Sequence, residues 1–182
     1  FEESMLKAVR SLELGLDHIE DKKWQNKEVS ELLEIAALAT DERLFVVSEL
    51  IRKGCDLREI HSATKIDLFF LCKLEKIIQA EKKISASLEK ETLYDLKRLG
   101  FADSYIARKA GLTERQVYDF RKQNDLMPVY KMVDTCAAEF ASSTPYFYST
   151  YEEENESFAS SKEKILVLGS GPIRIGQGIE FD

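Results

Sequence analysis

The sequence predicts an all-α fold, an orthogonal multi-helix domain followed by an extended connector, and three observations carry that reading. Apolar residues recur at intervals of three and four from about residue 3 to residue 123, the spacing that places them on one face of a helix. The breaks between these stretches carry Asp or Thr before a run and Gly after it, the residues that start and stop helices. After Met127-Pro128 the helical period fades.

A first helix over Glu3 to Leu14 places Leu6, Val9, Leu12 and Leu16 in a stripe, with Gly15 as its stop. Asp21 to Asn26 is polar and reads as a break; a second helix follows near Glu28 to Ala39. Thr40-Asp41-Glu42 caps a third, Glu42 to Lys53, in which Arg52 and Lys53 sit at the negative end of the helix dipole before Gly54. A short helix spans Asp56 to Ala63. The longest runs from Asp67, its cap, to about Ser85, with Phe70, Leu74, Ile77, Ile78 and Ala80 as the buried face and Glu75, Glu81, Lys82 and Lys83 as the solvated one. Three more follow: Glu89 to Arg98 before Gly100, Asp103 to Ala110 before Gly111, and Thr113 to Lys122 with Thr113 as N-cap.

From Met127 the chain reads as an extended connector that packs on a neighbour, with a turn at Cys136-Ala137-Ala138 and aromatics Tyr146, Phe147, Tyr148 and Tyr151 set among Ser and Thr. The acidic cluster Glu152, Glu153, Glu154 and Glu156 and the Ser/Lys stretch after it read as its flexible part. The last segment opens on Ile165 to Leu168, a run suited to a buried parallel strand, and enters a glycine turn. The division expected is therefore 1–150, helical domain and packed connector; 151–163, acidic and Ser-rich linker; 164–182, one strand and a Gly loop of a truncated α/β domain. The chain is 182 residues long, begins at Phe1 and stops just past its most Gly-rich stretch, so a fragment of a longer protein is the expectation.

The composition, 44% apolar and 32% charged, is that of a chain able to bury a core. No run approaches the roughly 18 apolar residues a spanning helix needs, and no signal pattern opens the chain. A cytoplasmic location and no membrane partner are expected. Net charge is −7, which disfavours nucleic acid. Cys55, Cys72 and Cys136 are odd in number and widely spaced, and with His18 and His61 they form no metal-binding spacing; buried, unreactive thiols are expected, with no metal site.

Two segments have the layout of chemistry. Asp103–Lys122 resembles a helix-turn-helix, with Ile106 and Ala107 inside, Gly111 at the turn and Val117 and Phe120 facing back; Thr113, Glu114, Arg115, Gln116 and Asp119 would face a DNA groove. Five basic against three acidic residues leave it only +2, and Glu114 and Asp119 would face phosphate. A plain packed helix pair is the competing reading. The second segment is the glycine loop, Gly169, Gly171, Gly176 and Gly178, whose backbone amides could approach an anion. Arg174 replaces the last glycine of a dinucleotide fingerprint, and Gln177-Gly178 replaces the Lys-Ser/Thr of a P-loop, so a ligand-binding turn and a structural turn both remain open.

The string GSGPIRIGQGIEFD, with KILVL, VDTCAAEF and YSTYEEE before it, closely resembles the centre of the carbamoyl phosphate synthetase large subunit, between its two homologous synthetase halves. TDERLFVVSELIRKG, EIHSATKIDLFFLCKLEKI and LKRLGFADSYIARKAGLTERQVYDFRK are similar to that family's helical oligomerisation domain. The resemblance implies a parent ligase that makes carbamoyl phosphate from bicarbonate, two ATP and ammonia released by a glutaminase subunit, with ATP and Mg or Mn in ATP-grasp modules outside this segment. It implies a role in arginine or pyrimidine biosynthesis, homo-oligomerisation of the large subunit, an inactive isolated segment, and carbamate transfer through an internal tunnel. No residue from Phe1 to Tyr151 matches a catalytic position. Arg174 and Glu180 are similar to residues lining the carbamate passage, and for Arg174 an ordinary ion pair that pins the loop is an equal reading.

Overall fold

Helices form on the apolar stripes, some started by a capping side chain and others, such as the one after Thr40-Asp41-Glu42, with no side-chain cap. The computed structural model describes residues 1–12, 14–141 and 143–166. Among them are α1 (Glu2–Ser11), α2 (Lys22–Gln25), α3 (Val29–Ala37), α4 (Arg43–Arg52), α5 (Leu57–Thr64), α6 (Leu68–Glu81), α7 (Lys90–Arg98), α8 (Asp103–Ala110) and α9 (Glu114–Gln123), followed by strands β1 (Val129–Met132) and β2 (Phe147–Thr150). The all-α expectation holds.

Several boundaries follow from single side chains. Asp56 and Asp67 accept from the backbone N–H two residues on and start α5 and α6. Thr113 and Gln116 form a reciprocal capping box at α9, which satisfies two backbone donors that a helix start leaves unpaired. Gly111 ends α8 in the left-handed conformation at φ +69°, where a side chain would meet its own carbonyl.

One contiguous core joins the helices. At its centre is α4, in which every residue from Phe45 to Ile51 is buried; α3 and α6 pack against it, and α5 packs against both of them. Ser48 lies in this core because its hydroxyl donates back to the Leu44 carbonyl at 2.8 Å, so its own polar atom is not left bare. Tyr105 and Ile106, with Phe101 just before the helix, bring α8 into the same core, each worth about 1.5–3 kcal/mol of buried apolar surface.

The differences from the sequence reading are local. The polar break at 21–26 holds the short helix α2, because Asp21 caps it and Trp24 sinks into the core. The first helix stops at Ser11 rather than Leu14, and Leu12 and Leu14 are exposed. The longest helix stops at Glu81, not Ser85; within it Phe70 is exposed and Leu71 takes the buried position. Glu81 is not solvated. Cys72 is exposed, and Cys55 and Cys136 are only half-buried, so the expectation of buried thiols is corrected.

The connector carries more order than extended chain. β1 and β2 pair antiparallel, Val129 opposite Thr150 and Met132 opposite Phe147. In the turn between them Asp134 accepts from the Cys136 and Ala138 amides at 2.8 and 2.6 Å, which holds Ala137 and Ala138 at positive φ. The far end of the acidic stretch is engaged: the Glu156 amide donates to the Tyr130 carbonyl at 2.8 Å, and the Glu156 carboxylate accepts from the Met132 amide. Of the strand expected over Ile165–Leu168, Ile165 and Leu166 are 93% and 85% exposed and in no strand; among the described residues the β1–β2 pair is the only sheet, and a parallel strand needs neighbours to pair with. Val167 and Leu168, the glycines of the loop, Arg174 and Glu180 lie outside the described residues.

Candidate functional site

Three features stand out on this scaffold: two buried polar clusters and one exposed aromatic face. The first cluster joins three elements. Arg52 at the end of α4 donates Nε and Nη2 to the two carboxylate oxygens of Glu81 at 2.9 and 2.7 Å, and donates Nη2 also to the Ile19 carbonyl at 2.8 Å. His18 Nε2 lies 2.8 Å from Glu81 Oε1. Burial alone would raise the Glu81 carboxyl, but hydrogen bonds from Arg52 and His18, with the Arg52 charge, outweigh it and hold it at about 2. Burial pushes His18 below its ordinary value despite Glu81, so the ring is neutral and donates Nε2–H to the carboxylate. Its Nδ1 has no hydrogen-bond partner among the described residues. The ring instead stacks on Tyr105 at 3.8 Å between centroids.

The second cluster ties the connector to the helices. Arg121 on α9 donates Nε and Nη2 to Asp103 Oδ2 at 3.0 and 2.6 Å, and Nη1 to the Leu126 carbonyl at 3.1 Å and the Tyr151 hydroxyl at 2.8 Å. Lys97 on α7 donates to the other Asp103 oxygen at 2.7 Å and to the Phe101 carbonyl at 2.7 Å. Burial pushes the Lys97 ammonium down, with Asp103 opposing it, and pushes the Tyr151 phenol up to about 12. Such a cluster holds geometry: both cations bond the single Asp103 carboxylate, and the remaining donors are spent on carbonyls and the Tyr151 hydroxyl. The expectation that the connector packs on a neighbour takes a definite form, since part of that neighbour is this chain's own helices.

The exposed face lies where α6 begins beside the start of α1. Phe1, Phe69 and Phe70 contact one another through their rings, with centroids 5.3 to 6.5 Å apart, yet Phe69 and Phe70 are 57% and 45% exposed. Clustered aromatics left in water mark contact surfaces.

Neither cluster was singled out in the sequence, although a signal was there. Glu81 follows Ile77 by four residues and Arg121 follows Val117 by four, so each continues a buried stripe. The residues of the helix-turn-helix reading are placed otherwise than a groove reader requires. Thr113 and Gln116 spend their polar groups on each other's backbone, Arg115 pairs with Asp119 at 3.0 Å, and Arg108 and Lys109 pair with Asp17 and Glu20. Arg121 is buried. The plain packed pair accounts for the segment, with Ile106, Ala107 and Val117 in the core and Phe120 against it. No group of three or more His, Cys, Asp or Glu is placed to hold a metal ion among the described residues, and none of their helices is long and apolar enough to cross a membrane.

A family model described as carbamoyl-phosphate synthetase large chain, oligomerisation domain, matches residues 1–125. The chain belongs to this family. A second model, the carbamoyl phosphate synthase preATP-grasp domain, matches residues 161–182. Both belong to the large chain of a ligase. In the carbamoyl-phosphate synthetase large chain an oligomerisation domain implies assembly with other chains, and the exposed aromatics of α6 fall within the matched residues. The Arg121–Tyr151 contact reaches from the first match into the stretch between the two.

Proposed function

We propose that this chain is the central assembly segment of a glutamine-dependent carbamoyl phosphate synthetase large subunit, joining subunits and spacing the two ATP-grasp halves. The observation that carries the reading is the cluster of Phe1, Phe69 and Phe70, apolar surface where α1 and α6 begin, left in water. In this reading residues 1–150 are the assembly domain with its packed connector, 151–163 the linker, and 164–182 the opening of the second synthetase half. The preATP-grasp match over 161–182 supports that order.

The whole enzyme would act in the cytoplasm, in arginine or pyrimidine biosynthesis, taking ammonia from a glutaminase subunit. ATP with Mg or Mn would be held by ATP-grasp modules elsewhere in the large subunit. Arg174 and Glu180 would line the passage for carbamate, a guanidinium guiding the anion and a carboxylate balancing it.

Sedimentation velocity tests the assembly role. The 182-residue chain is expected to self-associate as its concentration rises, and Phe69→Ser with Phe70→Ser is expected to abolish this; association unchanged in the double variant would overturn the face. The chain alone is expected to show no bicarbonate-dependent ATP hydrolysis, and measurable hydrolysis would contradict the segment reading.

A further inference from the structure

We propose that Tyr151 is a latch: a positioning residue that fixes the point at which the chain leaves the helical body. Three consecutive residues at the end of the hairpin contact that body, Ser149 and Thr150 on α1 and Tyr151 on α7 and α9. The Ser149 carbonyl accepts from Lys7 of α1. Thr150, 2% exposed, donates to Glu3 Oε2 at 3.0 Å. The Tyr151 hydroxyl accepts from Arg121 of α9, and its ring lies beneath Lys97 of α7 at 5.2 Å and Arg121 at 5.7 Å, where two cations favour the face of an aromatic ring.

Arg121 is itself immobilised. Asp103 takes two of its nitrogens, and the Leu126 carbonyl shares the third with Tyr151. Lys97 is held by the same Asp103. Tyr151 therefore docks into a pair of cations fixed by one carboxylate, and its position is set by α7, α8 and α9 together. Beyond it the contacts change character. Glu152 and Glu153 are exposed, and Asn155 and Glu156 bond to Tyr130 and Met132 of β1, not to a helix. Among the described residues Tyr151 makes the last hydrogen bond between the outgoing chain and the helices.

In the whole enzyme the consequence rests on the reading of 164–182 as the opening of the second half: a fixed exit point sets where that half starts. Hydrogen–deuterium exchange of this chain decides the latch itself. Tyr151→Ala is expected to speed exchange at amides 129–132 and 147–151 by about tenfold or more while α4 and α6 keep their protection. Tyr151→Phe, which keeps the ring under both cations, is expected to restore most of the protection. An unchanged hairpin, or equal acceleration through α4 and α6, would overturn the latch. In the full-length large subunit with its glutaminase, Tyr151→Ala is expected to lower carbamoyl phosphate formed per ATP several-fold and leave bicarbonate-dependent ATP hydrolysis unchanged, with Phe rescuing. Equal loss of both would overturn the positioning role. An unaltered enzyme without that hydrolysis would overturn the function proposed above, and the exchange result would still decide the latch.

Discussion

Arg52 and Glu81 meet, side by side and two-pronged, at the junction of α4, α6 and the 18–19 segment: Nε faces Oε2 at 2.9 Å and Nη2 faces Oε1 at 2.7 Å. Only 14% and 8% of their side chains reach water. A pair so far out of water contributes little net stability against an apolar substitute, but removing one partner strands the other charge. Glu81→Ala is therefore expected to lower unfolding free energy by about 3–5 kcal/mol, read from urea denaturation. Arg52→Met with Glu81→Leu is expected to recover part of that loss, the His18 Nε2–H and the Ile19 carbonyl being left without their partners. A single variant within about 1 kcal/mol of the parent would show that the pair is solvated after all.

Acid should weaken the fold in two stages. Burial places His18 below its ordinary value of 6.5 in the folded chain, against the pull of Glu81 and Glu20 and with the push of Arg52. Below pH 6.5 the unfolded chain takes up a proton that the folded chain refuses, so stability falls as pH drops. Glu81 follows: its folded value of about 2 lies under its ordinary 4.5, so its contribution is complete above pH 4.5 and is lost as pH falls from there toward 2. The urea midpoint should decline from pH 7 to 5 and more steeply below 4.5, and His18→Gln should flatten the first part. A midpoint constant from pH 7 to 5 would contradict the neutral, buried ring.

Helices were legible where a residue marks an end: a side-chain cap starts α5, α6 and α9, and Gly54, Gly100 and Gly111, all at positive φ, follow α4, α7 and α8. Asp103–Ala110 coincides with the sequence reading, closed by Gly111, and Thr113 caps the next helix as its spacing indicates. What periodicity could not give was pairing at a distance. Asp103 and Arg121 are 18 residues apart, and His18 and Glu81 are 63 apart; a charged residue on a buried stripe looks the same whether its partner exists or not. Phe70 shows the reverse error, an aromatic in near-helical phase that folding leaves in water. Strand pairing in the connector was missed for a related reason: four-residue strands separated by a long turn leave too few alternations to count.

The three thiols should differ in reactivity. Cys72 is exposed. Burial and the neighbouring carboxylates of Glu59 and Asp56 push the Cys55 thiol up to about 11, and the thiolate is the nucleophile. Iodoacetamide at pH 8 should label Cys72 well before Cys55, as followed by peptide mass spectrometry. Glu59→Gln should speed labelling of Cys55 and leave Cys72 unchanged. Equal labelling rates for Cys55 and Cys72 in the unaltered chain would contradict this ordering.

Gly100 is where helix packing depends on the absence of a side chain. Its φ is +92°, and a Cβ there would stand 2.8 Å from the Glu3 Cα and 3.2 Å from the Glu3 carbonyl. That obstacle is the backbone of α1, which cannot swing aside as a side-chain tip can. The Gly100 carbonyl also accepts from Arg10 of the same helix at 2.8 Å, so the contact is held from both ends. Gly100→Ala should therefore cost about 3 kcal/mol or more, combining left-handed strain with overpacking. Gly111→Ala makes the control: its φ is +69° and a Cβ would meet nothing within 4 Å, so only strain of about 1–2 kcal/mol applies. At about 2–4 °C per kcal/mol for a chain of this length, the melting points should separate by several degrees. Because Glu3 also receives the Thr150 hydroxyl, Gly100→Ala should loosen the hairpin as well, whereas Gly111→Ala should not. Equal losses from the two substitutions would show that α1 is free to move away from the turn.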